Sequence, residues 1–200
     1  MPGAVAATLV LGYLLGSVPV AVLVARARGI DPRRQGDGNP GYWNVKALLG
    51  RRAAVPVFAG DVAKGALAAL AGVGGGAALA DGAHDRMVLA WVGTAAAMAG
   101  HAWPVFARFR GGRSILAFVG GMAVWSPRSV ALCVAALLVV WAVTRSFAWG
   151  ARVGVFGTPL AVLVIDGVWR TAALGLLLTL LGVRFLLAGR EGDQTGRPAS

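Results

Sequence analysis

The strongest constraint on this chain is its uncharged runs. No Asp, Glu, Lys or Arg occurs from Met1 to Ala25, nor from Met87 to Ala107. A helix satisfies its own backbone polar groups, and about 20 apolar residues carry it across a bilayer. Shorter uncharged runs cover residues 65–80, 114–127, 129–144, 153–165 and 171–183. With 58% hydrophobic and only 14% charged residues, the chain is too poor in charge to clothe a soluble globule, for which about 25% is usual. The sequence therefore predicts an all-α integral membrane protein with about seven transmembrane helices, roughly 4–25, 53–79, 88–107, 114–126, 129–144, 153–166 and 171–188. The later spans are short, and a helix of about 14 residues reaches only about 21 Å, so some are expected to tilt or re-enter. Residues 1–190 are expected to form one polytopic domain, with 191–200 a polar, disordered tail.

The first run is not expected to be a signal peptide, because Arg26 and Arg28 follow it rather than precede it. The net charge of +11 suggests nucleic acid only until the bases are located. With the N-terminus outside, the inside segments hold Arg26, Arg28, Arg33, Arg34, Lys46, Arg51 and Arg52. Further along they hold Arg108, Arg110, Arg113, Arg145, Arg152, Arg184, Arg190 and Arg197. Only Arg86, Arg128 and Arg170 fall outside, with Asp81, Asp85 and Asp166 beside them, and Lys64 lies within a span. That asymmetry is the positive-inside bias. It predicts a multi-pass membrane protein with a cytoplasmic C-terminus and membrane lipids rather than nucleic acid as partners. Cys133 is alone, so no disulfide forms within the chain, and it reads as a small buried hydrophobe.

The stretch QGDGNPGYWNV (Gln35–Val45) spaces Gly36, Gly38 and Gly41 as a dinucleotide-binding turn does. That fingerprint requires a preceding strand and a following helix in a βαβ unit. GIDPRRQ before it is no strand, Pro40 interrupts it, and Asp61 falls inside a hydrophobic span, so the nucleotide reading fails. A phosphate-loop reading of GGRS (Gly111–Ser114) fails because Ala107 stands where a leading glycine belongs. What remains is a loop of about 27 residues with glycines, two asparagines, Tyr42, Trp43 and seven bases, a length that usually signals function or disorder. Its glycine amides can converge on an anion while arginines add charge-assisted hydrogen bonds. The bland alternative is that Arg26, Arg28, Arg51 and Arg52 merely set topology.

A second cluster is GHAWPVFARFRGGRS (Gly100–Ser114). His101 stands at the end of a span, ahead of Pro104 and of Arg108, Arg110 and Arg113 around a Gly-Gly turn. An interfacial histidine is the plain reading; a proton carrier or phosphate ligand is the functional one. Neither His84 nor any cysteine supplies metal-ligand spacing, so no metal is expected. Asp61 and Lys64 are three apart on one helix and can pair. Ionisable residues within a span face the bundle interior or a polar cavity, so they form either a structural pair or a wall of an anion site.

Taken together, these elements resemble the bacterial acyl-phosphate:glycerol-3-phosphate acyltransferases along nearly the whole chain, in order. YLLGSVPVAVLVAR with GID and GDGNPGYWNV resembles that family's first span and its G-S-G-N-x-G-A-T-N-V loop. DVAKGA (Asp61–Ala66) is similar to its D-x-x-K-G segment, GHAWPVFARFRGGRS to its G-H-x-F-P-V-F-x-K-F-K-G-G-K-G element, and TRSFAWGA (Thr144–Ala151) to its T-R-Y-V-S-L-x-S. The resemblance implies transfer of a fatty acyl group from acyl phosphate to glycerol 3-phosphate, forming lysophosphatidate, or to a related polyol phosphate, with the site facing the cytoplasm and no cofactor. It casts His101 as acid/base or phosphate ligand and Arg110 and Arg113 as phosphate ligands. Asn39, Asn44 and the amides around Gly38 and Gly41 would orient the acceptor, with Gly111, Gly112 and Lys64 beside them and Arg145 closing the pocket.

The departures are equally specific. The first motif's serine is Asp37, its A-T is Tyr42-Trp43, and its arginine falls on Ala47, with Lys46 one place early. The second motif's lysine is Arg113 and its last glycine Ser114, and the third motif's hydroxyl is Ala148. The closing R-H-R-E-N has no counterpart around Leu180–Arg184. A carboxylate at Asp37 would repel a phosphate unless Arg33 or Arg34 pairs with it. Two alternatives stay open: a catalytically silent relative that binds anionic lipid or a partner enzyme, and a small transporter, for which only Asp61 and Lys64 qualify and no repeat is visible.

Overall fold

The computed structural model describes residues 1–79 and 82–194. Asp81 and the last six residues of the expected tail, Arg197 among them, lie outside the described residues. Among those described the chain is helical throughout, without a strand. Helices α1 (Pro2–Gly16) and α2 (Val20–Arg26) make up the first run, and a short α3 (Tyr42–Leu49) precedes α4 (Arg51–Leu79). Then come α5 (Ala83–Ala102), α6 (Ile115–Trp125), α7 (Pro127–Thr144), α8 (Phe147–Asp166) and α9 (Val168–Gln194). A helix occupies each run expected from sequence, and Pro2–Arg26, Arg51–Gly75, Pro127–Thr144 and Phe147–Asp166 are long and apolar enough to cross a membrane.

Four boundaries differ for physical reasons. The first span is broken at residues 17–19, where Pro19 has no N–H to continue the ladder and α2 restarts beyond it. The third ends at Ala102, before Pro104, and residues 105–107 form a 3-10 turn. The sixth starts at Phe147 instead of 153, so it is 20 residues long and not short. Arg152 does not stop that helix: its guanidinium lies 4.8 Å from the ring centroid of Trp149, an arrangement that keeps the charge in the interfacial zone. Helix α9 runs to Gln194, past the expected tail boundary at 191. Helix α6, with 11 residues, covers only about 16 Å, one of the short spans expected.

The long basic loop is not structureless either. Its second half folds as α3, which joins α4 through Gly50 at φ 80, a left-handed joint that glycine adopts without penalty. Helices α1, α4, α5 and α6 form the central packing unit, while α7 and α8 pair mainly with each other. Small residues let the central helices approach. A Cβ on Gly65 would run into the Ala117 carbonyl, and one on Gly120 into that of Val62, so α4 and α6 touch backbone to backbone on either side of Lys64, as small-residue interfaces do in membranes. Cys133, half-buried, places its Sγ 3.7 Å from Thr158 Oγ1 across the α7–α8 seam.

The end opposite the arginines is tied by one cluster. Asp166 accepts hydrogen bonds from Ser126 Oγ and from Ser129 Oγ (2.7 Å) and pairs with Arg170 at 2.6 Å, whose guanidinium also donates to the Trp125 carbonyl at 2.9 Å. This links the α6–α7 turn to the α8–α9 turn.

Candidate active site

The site forms at the other end, where the α1–α2 break and the end of α5 meet the middle of α4 and the turn leading into α6. Helix α4 contributes Asp61 and Lys64, both buried, with Lys64 Nζ 2.9 Å from Asp61 Oδ1. The pairing expected from their spacing is present. Lys64 also donates to the Val18 carbonyl at 3.2 Å, one of the acceptors released where the first span breaks, so the break and the buried lysine satisfy each other. His101, in the last turn of α5, is buried with Nδ1 3.6 Å from Asp61 Oδ1, a charge contact longer than a hydrogen bond.

The Gly111–Gly112 turn folds over this group. Gly112 N–H donates to the His101 carbonyl at 3.0 Å. A Cβ on Gly112 would strike His101 Nε2, and one on Gly111 the carbonyls of His101 and Ala102. The two glycines are thus required first as a surface on which the imidazole rests. Arg184 of α9, buried, reaches across to the same turn, its Nη2 donating to Gly111 O at 3.1 Å and its Nε to Gly112 O at 3.3 Å. Asp61, Lys64, His101, Arg110, Gly111 and Gly112 line one narrow cleft, closed on the loop side by Pro40 and on the helix side by the residues of the break.

The turn itself is bent into the left-handed region at Arg108 (φ 56), Phe109 (φ 58) and Ser114 (φ 64), which costs roughly 1–2 kcal/mol per non-glycine residue. Where the resembled family has glycine, Ser114 recovers part of that through a buried hydrogen bond from its Oγ to the Met98 carbonyl at 2.7 Å. Arg113 is half-buried in this turn.

The first loop is built around Asn44. Its Nδ2 donates to the carbonyls of Pro32 (2.7 Å) and Gln35 (2.9 Å), and its Oδ1 accepts from Asp37 N–H at 3.3 Å. Gly36 (φ 64) packs directly on that amide. Asn44 thus engages both its amide nitrogen and its amide oxygen in holding the loop. Asn39, beside Gly41, keeps its carboxamide clear of such bonds, while its N–H donates to Asp37 Oδ1 at 3.0 Å. Asp37 therefore closes its own turn and does not pair with Arg33. That guanidinium is committed to Asp31, at 2.9 Å from Nε and 2.6 Å from Nη2, and also donates to the Ala107 carbonyl at 3.1 Å. The Arg33 fork holds the Asp31 carboxyl well below the usual carboxylate range, and the pair struts the first loop against the second.

Arg145 does not join the cleft lining. It is exposed, in the left-handed C-cap of α7 (φ 56). Its turn is brought to the first loop by aromatic contacts instead, with Trp43 and Phe147 centroids 5.3 Å apart and Phe147 and Trp141 centroids 5.9 Å apart. Arg184 was legible only as a lone base in an apolar run and was counted as a topological charge; what it holds is invisible until α9 is placed.

Fold and site together define an integral membrane protein with a buried carboxylate–lysine–histidine group beside an arginine-flanked glycine turn. The family described as glycerol-3-phosphate acyltransferase matches residues 6–188. A glycerol-3-phosphate acyltransferase of Laribacter hongkongensis is 40% identical over 180 residues, covering 89% of this chain and 87% of that protein. Another, of Clostridioides difficile, is 35% identical over 157 residues, 78% and 76% of the two chains. The crystal structure of PlsY (YgiH), an integral membrane glycerol 3-phosphate acyltransferase in its glycerol 3-phosphate form, superposes with a TM-score of 0.73 at 25% identity, covering 96% of this chain and 93% of that one. The same protein in its lysophosphatidic acid form gives 0.70. The chain belongs to the glycerol-3-phosphate acyltransferase family.

Proposed function

We propose that this protein transfers a fatty acyl group from acyl phosphate to glycerol 3-phosphate, releasing lysophosphatidate and inorganic phosphate. The observation that carries the reading is the convergence of His101, Lys64 and the Gly111–Gly112 turn on one cleft at the arginine-rich end of the bundle. The solved relative's glycerol 3-phosphate and lysophosphatidic acid forms support the acceptor and product. The silent-relative alternative gains nothing from the relatives matched. The positive-inside bias supports an N-terminus outside, seven crossings within one domain of residues 1–190, and a cleft facing the cytoplasm of a bacterial plasma membrane.

Acyl phosphate is already activated, so the protein's part is positioning and charge stabilisation. The acceptor hydroxyl oxygen forms a bond to the acyl carbon while the bond from that carbon to the phosphate oxygen breaks. The electron pair leaves with phosphate, and the hydroxyl proton passes to His101 or to the departing phosphate. Arg110 and Arg113 neutralise the two phosphates, and Lys64 holds positive charge against the developing oxyanion. Asn39 and the amides of Gly38 and Gly41 orient the acceptor.

Purified protein in lipid nanodiscs, given palmitoyl phosphate and a panel of polyol phosphates, should yield lysophosphatidate by mass spectrometry. His101→Ala and Arg113→Ala should each abolish it while leaving the fold intact. Normal turnover in both variants would overturn the site assignment, and a different acylated polyol phosphate would show that Asp37 and Trp43 have redirected the acceptor.

A further inference from the structure

A second, wider cleft of about 620 Å³ opens beside the first, and none of the residues assigned above to acyl transfer lines it. It lies between the end of α2, the start of the first loop and the 105–108 turn, and meets the transfer cleft only at Pro19 and Val22. Neither His101 nor Lys64 lines it. Its polar wall carries Arg26, Arg33, Arg34 and Arg108. Its single carboxylate, Asp31, is already taken by Arg33 at 2.6 Å. The Arg26 guanidinium approaches Asp31 only to 3.7 Å with its side chain 61% exposed. The lip is apolar: Leu23 is 55% and Phe106 59% exposed, and both belong to segments at the margin of the membrane-spanning bundle.

We infer that this cleft binds the phosphate headgroup of an anionic phospholipid from the surrounding leaflet, with the acyl chains lying over Leu23 and Phe106. Charge complementarity sets the sign of the ligand. The apolar lip selects a lipid over a soluble phosphate, because a free ion makes no use of it. A phosphodiester held between Arg26 and Arg108 also ties the end of the first span to the turn that leads into Gly111, so the bound lipid reinforces the Arg33 strut already linking those loops. The inference does not depend on turnover, since it concerns binding alone.

The test is native mass spectrometry of the full chain in neutral detergent, titrated with phosphatidylglycerol or with phosphatidylcholine of identical acyl chains and no substrate. Phosphatidylglycerol should be retained preferentially. Each arginine beside an anionic headgroup contributes about fivefold in affinity, so R26Q/R108Q should weaken retention roughly 25-fold. A charge-matched control, R51Q/R52Q, should retain the lipid as the parent does. Equal retention by R26Q/R108Q and the parent overturns the site, as does equal retention of the two lipids. Displacement of the lipid by millimolar inorganic phosphate overturns the lipid as occupant and leaves a soluble-anion site. Should the double variant fail to fold, R26Q alone decides, because the Arg26 side chain is mostly exposed.

Discussion

Gly112 lies directly beneath His101: its N–H donates to the His101 carbonyl at 3.0 Å, and the space a Cβ would fill is occupied by the imidazole Nε2. Gly112→Ala must therefore displace either the turn or the imidazole. A shift of about 1 Å in a positioned catalytic group costs on the order of a hundredfold in rate. Acyl transfer in nanodiscs should fall by about that factor while the variant still elutes as folded protein. Near-parental activity would mean that the position of His101 does not matter to the reaction.

Arg184 holds the same turn from behind, with two charge-assisted bonds to the carbonyls of Gly111 and Gly112. Such bonds are worth roughly 1.5–3 kcal/mol each, and removal leaves two buried acceptors. Arg184→Ala should lower stability by about 3 kcal/mol, and Arg184→Lys should recover only part of it, because an ammonium cannot reproduce the planar fork. Thermal unfolding in detergent reads this; an unchanged midpoint in Arg184→Ala would count against any role for α9 at the site.

Asn44 makes three hydrogen bonds inside the first loop. Asn44→Ala should loosen that loop by roughly 2 kcal/mol without unfolding the helices. Tryptic cleavage after Arg33 or Arg34 should then speed up at least about tenfold, since local opening sets the cleavage rate. An unaltered digestion rate would show that the loop is held by something else.

Asp31 offers a pH test with a defined sign. Its folded-state titration lies below its ordinary value because Arg33 stabilises the carboxylate. The stabilisation is therefore fully present above the unfolded value, about 3.9, and is lost as pH falls toward the lower, folded one. The difference in unfolding temperature between the parent and Asp31→Asn should stay constant from about pH 7 to 5 and shrink below about pH 4. A difference that shrank already between pH 7 and 5 would contradict the pairing.

Much of this protein was readable one segment at a time. Uncharged runs located the helices because a bilayer penalises any charge or unpaired backbone group the same way wherever it stands. The spacing of Asp61 and Lys64 announced their pairing because residues three apart on a helix share a face. Family-like motifs marked both basic loops. Where the reading went astray, the deciding contact was distant in the chain. Arg152 resembles a helix boundary, but Trp149 carries its charge, and nothing local to Asn44 shows that the carbonyls of Pro32 and Gln35 turn back to it. Arg33 was one of two bases that could have paired with Asp37, but the tertiary fold sets it between Asp31 and Ala107.

The sequence by itself determined that this is a helical membrane protein with most of its bases between the apolar runs, because transfer energies depend on residue type and not on neighbours. Only the tertiary structure decided which of those bases reach the cleft, because that choice rests on backbone-to-backbone approach between helices. Glycines at 65, 112 and 120 permit that approach, but no single segment specifies its partner. Arg184 is brought to the glycine turn and Arg145 is left outside the cleft lining by the same packing.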